Sequence, residues 1–78
     1  MQRYLGLSGN SGVIAYAIAA EGIAVQFVDG KAYTYTYAST GRERVERMKT
    51  LAQAGQGLAT YISQHVGGDY AACITPAD

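Results

Sequence analysis

The sequence Lys31-Ala-Tyr-Thr-Tyr-Thr-Tyr37 alternates tyrosine with small residues. A period of two is typical of a β-strand, because successive side chains of a strand point to opposite faces of the sheet. Tyr33, Tyr35 and Tyr37 therefore share one face, and tyrosine and threonine both favour strands. The pattern predicts a strand against which the rest of the chain packs.

Two further β-patterned runs precede this strand, at residues 13–18 and 22–28. Asp29-Gly30 separates the second run from the tyrosine strand, and this dipeptide is a strong hairpin signal. The short connection at Glu21-Gly22 joins the first two runs, so we expect an antiparallel meander of three strands. The residues expected to share one face of the first strand are Ile14, Tyr16 and Ile18.

Helical spacing follows the strands. Thr40 and Glu43 match the capping box, in which each side chain binds the other residue's backbone amide, so a helix is predicted to begin there. Apolar residues then recur at intervals of three and four until Ala54-Gly-Gln-Gly57, where a left-handed glycine cap is expected, and helical spacing resumes over 58–66. The predicted class is α+β: a three-stranded antiparallel β-meander followed by two helices, in the order β-β-β-α-α.

The ends of the chain leave alternatives open. Residues 1–7 form either a frayed terminus or an added edge strand, and residues 70–74 form either a short strand or coil. Residues 8–12 carry turn chemistry, and residues 75–78 are expected to be a loose tail. We therefore predict a single domain over 1–78, with its core at about 11–70.

The composition narrows the classes of function. Six basic residues balance six acidic ones, which argues against a strongly basic nucleic-acid binder. Only 15% of the residues are charged, so we expect exposed apolar surface and a homo-oligomer. The longest apolar run is too short to span a bilayer, so no membrane partner is expected. Cys73 is the single cysteine, which favours a cytoplasmic protein and predicts a small buried side chain there.

A set of short motifs points to a family. They are Ser11, Ile14, Val25-Gln-Phe27, Gly30, Tyr33-Thr-Tyr35, a helix over 45–51, Gly57, Tyr61 and Tyr70. In this order they resemble the KTSC domain, a short module at the C-terminus of some lysyl-tRNA synthetases that also occurs as a free-standing bacterial or phage protein. The chain departs from the family pattern at Ala38-Ser-Thr40, in place of a Val-Pro-like step, and at Gly55, in place of a serine. The resemblance implies a non-enzymatic accessory module, for which RNA binding is the usual suggestion.

The residues themselves suggest where a ligand binds. Tyrosine rings on a sheet can stack on bases, and nearby arginines can bind phosphates. The candidate ligand-binding residues are Tyr33, Tyr35, Tyr37, Tyr61, Arg42, Arg44 and Arg47. The structural interpretation is that the strand tyrosines pack under the helices. The arginines would then form a solvated helix face, with Glu43–Arg47 and Glu46–Lys49 as ion pairs.

We therefore predict a non-enzymatic binding module for single-stranded RNA or a nucleotide-like ligand, with no cofactor and no metal. The alternative is a protein-interaction or assembly module, phage-encoded, which acts on a host protein or sequesters a host signalling nucleotide. An enzyme would need His65, the only histidine, and the sequence places no partner beside it. Its position near a helix C-terminus favours a structural role.

Overall fold

The computed structural model of the protein describes residues 1–6 and 12–74. The strands are β1 (Gln2–Arg3), β2 (Val13–Ala19), β3 (Gly22–Phe27), β4 (Ala32–Thr36) and β5 (Ala72–Ile74). The helices are α1 (Tyr37–Thr40), α2 (Arg42–Ala54) and α3 (Leu58–Tyr61), the last of which continues as a π-helix over Ile62–Val66. The turn predicted at 8–12 lies, except for Gly12, outside the described residues, as do Ser11 of the family pattern and the tail at 75–78.

Within the described residues, the five strands form one antiparallel sheet in the order β1-β2-β3-β4-β5. The α+β class and the meander of β2, β3 and β4 are confirmed, and the Asp29-Gly30 hairpin joins β3 to β4 as expected. The predicted count of strands was too low, because the sheet gains β1 and β5 at its edges. Each is three residues long or shorter, so its pairing with a distant strand leaves little local signal.

One face of the sheet carries the core. Strand pairing places Val25 beside Tyr33 and Ile23 beside Tyr35 on this face. The helices bury their apolar residues in the same cluster: Val45, Met48 and Ala52 of α2, with Leu58, Ile62 and Val66 after them. The tyrosine face is therefore the covered face, as the structural interpretation holds, and the opposite face carries small residues.

Strand β2 corrects the prediction for Ile14. The pairing register shifts between Val13 and Ala15, which marks a β-bulge. Because the bulge inserts one residue, Val13 and Tyr16 both face the core and are buried, whereas Ile14 is exposed. The expected common face of Ile14, Tyr16 and Ile18 was wrong at its first member.

A short helix, α1, precedes the helix that the sequence predicts at Thr40–Glu43, so the predicted count of two helices was too low. Strand β4 ends at Thr36, whose side chain accepts a hydrogen bond from the Ser39 amide in a capping box, so Tyr37 opens α1 instead of ending the strand. Gly41 precedes α2 with φ 102° and no side-chain cap, so the predicted Thr40–Glu43 capping box was wrong. Thr40 is buried, and its hydroxyl donates instead to the Asp69 carbonyl at 2.6 Å.

The glycine break between α2 and α3 is confirmed. Gly55 and Gly57 have φ of 77° and 84°, in the left-handed region that glycine adopts without strain. A Cβ atom at Gly55 would also lie 2.9 Å from the Leu5 side chain. The two glycines turn the chain sharply, so that α3 lies beside α2.

Cys73 is exposed, contrary to the buried position expected for it, because β5 is an edge strand whose three residues all face solvent. In the stretches 1–6 and 12–74, the longest helix has 13 residues, and none is long and apolar enough to cross a membrane.

Candidate functional site

The structure divides the predicted site residues among separate places. Four of the seven predicted site residues line two surface depressions of similar size. The first, here called the Arg47 groove, is lined by Arg47, Leu51, Gln56, Gly57, Thr60, Tyr61, Gln64 and His65. The second, here called the aromatic hollow, is lined by Gly12, Phe27, Val28, Asp29, Tyr33, Tyr35, Ile62, Gly67, Gly68 and Tyr70. The remaining three, Tyr37, Arg42 and Arg44, lie outside both.

The Arg47 groove runs between α2 and α3 and has a volume of about 510 Å³. It brings together Arg47 and Tyr61, which the sequence separates by a glycine break. Arg47 is exposed and Tyr61 is half-buried against the core. Arg47 is the only lysine or arginine that lines the groove in the described part of the chain, and no carboxylate lines it there.

The π-helix sets the aromatic wall of this groove. The Gly67 amide donates to the Ile62 carbonyl at 2.7 Å, a bond that spans five residues. Along the same segment the rings of Tyr61 and His65 lie 4.9 Å apart at their centroids, tilted by 37°. Ile62 and Val66 anchor the segment in the core. The two rings are therefore held side by side at the surface.

Tyr37 is engaged by its own chain. Its hydroxyl donates to the Glu46 carboxylate, while Arg42 and Lys49 place their cationic groups 5.8 Å and 5.5 Å from its ring centroid. The hydrogen bond to Glu46 raises the pKa of Tyr37 and lowers the pKa of Glu46. Glu46 also pairs with Lys49 at 2.9 Å, as the sequence predicts. The ring of Tyr37 is thus already in cation–π contact.

Arg44 forms an ion pair with a carboxylate of its own chain instead of being free to bind a phosphate. Its guanidinium lies 3.5 Å from the Asp69 carboxylate, and both side chains are about half exposed. The expected Glu43–Arg47 pair does not form in the described structure, since Arg47 lines the groove instead. The three arginines therefore do not make one continuous basic face.

The aromatic hollow contains the strand tyrosines. Tyr35 is 1% exposed and forms its floor, so no free ring face remains for stacking on a base. Tyr33 lies edge-on to Phe27 with centroids 5.5 Å apart, and Tyr70 approaches Tyr33 to 4.8 Å at 62°. The hollow has a volume of about 450 Å³, and Asp29 also lines it.

The hollow has its own electrostatic character. Burial raises the pKa of Tyr35 to about 12, with further contributions from Tyr33, Tyr70 and Cys73. The pKa of Tyr33 is raised chiefly by its side-chain interaction with Cys73, then by burial and by negative charge that includes the Asp29 carboxylate. The Asp29 carboxylate disfavours a further negative charge beside these rings. Tyr33 and Tyr35 are therefore poorly placed for a phosphate ligand.

Sequence reasoning missed several lining residues. His65 lies four residues after the predicted site residue Tyr61 in a helical segment, and this spacing predicts that the two rings are close. Gln56 lies beside these two residues only because the chain turns back at the glycine break, and no local sequence pattern predicts this contact. Tyr70 and Phe27 reach the hollow only through the pairing of β4 with β5 and β3.

The outer sheet face, as we call the side opposite the core, carries small side chains. Pairing aligns Ala17, Ala24, Thr34 and Ala72 across four strands on this face. A shallow depression of about 360 Å³ lies there, bordered by Thr36 and Ala38 at one end. Helices α2 and α3 and the π-helix that follows pack on the other side of the sheet.

Among residues 1–6 and 12–74, no group of three or more His, Cys, Asp or Glu side chains is arranged to hold a metal ion. Comparison of the chain with models of known families, with curated proteins and with solved structures finds no match. The resemblance to the KTSC domain stays a prediction.

Proposed function

We propose that the domain binds a single-stranded RNA segment or a nucleotide-like ligand in the Arg47 groove. The observation that carries this proposal is the juxtaposition of Arg47 and Tyr61 in one groove, with His65 beside the Tyr61 ring. A base stacked on these rings would gain about 1–3 kcal/mol. The Arg47 guanidinium would bind the attached phosphate by charge-assisted hydrogen bonds.

The polar side chains of the groove suit the edges of a base. Gln56 and Gln64 each carry an amide that both donates and accepts, and Thr60 adds a hydroxyl. A volume of about 510 Å³ falls within the range usual for small-ligand sites. The zero net charge limits non-specific attraction to long nucleic acids, which favours a short strand or a single nucleotide.

The test compares two arginines of the same helix. Binding of a fluorescein-labelled hexaadenylate and of AMP would be measured by anisotropy and by competition. Arg47→Gln should weaken both about tenfold, the loss expected for one charge-assisted contact. Arg44→Gln removes the same charge outside the groove and should leave binding nearly unchanged.

Salt dependence separates the two ligand forms. The logarithm of the RNA affinity should fall with the logarithm of salt with a slope of about −0.7 per phosphate contacted, and Arg47→Gln should reduce that slope by one contact. AMP should respond less to salt. Equal weakening by the Arg44 and Arg47 variants would show that general charge, and not the groove, attracts the ligand.

In this proposal the domain is a cytoplasmic, non-enzymatic accessory module, as the resemblance to the KTSC domain implies. His65 then acts as a stacking neighbour of Tyr61 and not as an acid or base. Turnover of a candidate substrate that is lost after His65→Ala would contradict this role, whereas no turnover by the wild-type chain would agree with it.

The outer sheet face favours a second candidate, an assembly or protein-interaction module. A flat face of alanine and threonine allows close approach of another surface, and homo-oligomerisation is the form we propose. Light scattering of the wild-type chain should then give a multiple of the monomer mass, and Ala24→Glu should return it to monomer. Gln53→Glu adds the same charge on an exposed helical position and should not change the mass.

A further inference from the structure

We propose that the aromatic hollow is a second binding site, which takes a methylated ammonium cation. Four aromatic residues, Phe27, Tyr33, Tyr35 and Tyr70, line it together with the carboxylate of Asp29. The face of an aromatic ring is negative and attracts cations, most effectively where several rings surround the cation.

The rings pack edge to face, so they line the hollow from different directions. Phe27 and Tyr33 are inclined at 85°, and Tyr35 and Tyr70 at 89°. Tyr35 is fixed in the core, whereas Tyr70 is 40% exposed and forms the outer wall. A ligand that enters past Tyr70 would therefore contact Phe27, Tyr33 and Tyr70, which lie above the buried Tyr35.

The charge around the hollow has one sign. Asp29 is the only charged residue among its described lining residues, and no lysine or arginine lines it there. The pKa of Tyr33 is raised first by its side-chain hydrogen bond with Cys73 and then by burial, and the negative charge of Asp29 raises it further, which agrees with negative potential at this point. A phosphate or carboxylate ligand would be repelled, whereas a cation would be attracted.

The hydrogen-bonding groups that line the hollow favour a methylated cation over a primary ammonium. A primary ammonium brings three N–H donors, each of which needs an acceptor once desolvated. The Oδ1 atom of Asp29 already accepts from the Lys31 amide at 3.0 Å. A quaternary ammonium needs no acceptors and presents only methyl groups to the rings, so it loses less on entering the hollow. Free cholines and trimethylated lysine side chains share this chemistry.

The test is a nuclear magnetic resonance titration of the isotope-labelled full chain with choline and with its neutral carbon isostere, 3,3-dimethylbutan-1-ol. Choline should shift amides near residues 27–35 and 67–70, and should bind about tenfold more tightly than the neutral compound. Equal affinity of the two compounds would reduce the site to an apolar depression and overturn the proposal. Absence of saturable shifts with choline would overturn it as well.

Two variants, one of an aromatic ring and one of the carboxylate, test the assignment independently. Tyr70→Leu removes an exposed ring and should weaken choline binding about threefold or more. Asp29→Asn keeps an acceptor oxygen for the Lys31 amide, so the turn is preserved, and should weaken choline but not the neutral isostere. Glu43→Gln removes the same charge outside the hollow and should change neither. Choline affinity unaltered by both Tyr70→Leu and Asp29→Asn would contradict the assignment.

The source of the cation is read from a parallel titration with a short peptide that carries trimethyllysine. Tighter binding of the peptide than of choline would identify a modified protein as the ligand, and tighter binding of choline a free small molecule. The same peptide with unmodified lysine should bind more weakly in either case, because its ammonium lacks acceptors in the hollow.

Discussion

The Arg47 groove and the aromatic hollow are alike in size and both contain tyrosine, but they differ in charge. The groove is about 510 Å³ and holds a guanidinium, whereas the hollow is about 450 Å³ and holds a carboxylate. The groove presents Tyr61 at a helix surface, while the hollow presents Tyr33 above the core. Aromatic content alone therefore does not identify a nucleotide site, since the neighbouring charge decides which ligand a tyrosine surface attracts.

The largest expected effect comes from the floor of the hollow. Tyr35 is 1% exposed, so Tyr35→Ala should destabilise the fold by about 3–5 kcal/mol, as for other buried aromatic residues. Urea unfolding followed by circular dichroism would measure it. Tyr70→Ala, at the exposed rim of the same hollow, should cost far less. Similar losses for both variants would mean that the hollow is part of the core and not a site.

Alkaline pH should destabilise the fold through the hollow. The folded-state pKa of Tyr35 is about 12 against an ordinary value of 10.0, so between these values the folded state holds the proton more firmly than the unfolded state. This contribution is complete below pH 10 and is lost as pH rises towards 12, by about 2–3 kcal/mol.

The melting temperature measured across this pH range provides the check. Tyr35→Phe has no proton to lose, so its melting temperature should fall less steeply. The raised pKa values of Tyr33 and Tyr37 act in the same direction and should leave a shallower decline. An identical decline in wild type and Tyr35→Phe would contradict the role given to Tyr35.

Substitution of one tyrosine in each site should affect only the ligand of that site. Tyr61→Leu should weaken AMP by about 1–3 kcal/mol through loss of stacking and leave choline unaffected. Tyr70→Leu should do the reverse. Parallel titrations of both ligands with both variants would show this, and a variant that weakens both ligands equally would indicate general loss of structure.

The smallest effect should come from loss of the hydrogen bond between Thr40 and Asp69, which holds the segment that carries Tyr70. Thr40 donates to the Asp69 carbonyl at 2.6 Å, so Thr40→Val should cost about 1 kcal/mol. It should also weaken choline slightly while AMP binding persists. Hydrogen exchange at residues 67–72 would report the loosening, and unchanged exchange there would show that this bond does not hold the wall.

Local patterns predicted the parts of the fold that local physics determines. The alternating tyrosines, the Asp29-Gly30 turn and the glycine break at Gly55 each correspond to a short-range backbone preference, and each appears in the structure. The predicted Thr40–Glu43 capping box failed because Thr40 is the last residue of α1, which leaves Gly41 as the N-cap of α2. The Thr40 hydroxyl donates to the Asp69 carbonyl, a tertiary contact that the local sequence does not predict.

The candidate site was harder to predict than the fold. Arg47 and Tyr61 were both selected from the sequence, but their meeting depends on how α3 folds back along α2. The sequence pattern predicts Tyr37 in a strand, whereas in the structure it opens α1. There its side chain contacts Glu46, Arg42 and Lys49. The members of the hollow come from distant strands and a loop, which periodicity within any one stretch does not connect.

The most direct test of the difference between the two sites is a titration of one labelled sample with AMP and then with choline. AMP should shift amides around residues 56–65, choline should shift those around 27–35 and 67–70, and each affinity should change less than about twofold when the other ligand is present. Competition between the two ligands, or shifts of the same amides by both, would contradict the assignment of opposite charge preference to the Arg47 groove and the aromatic hollow.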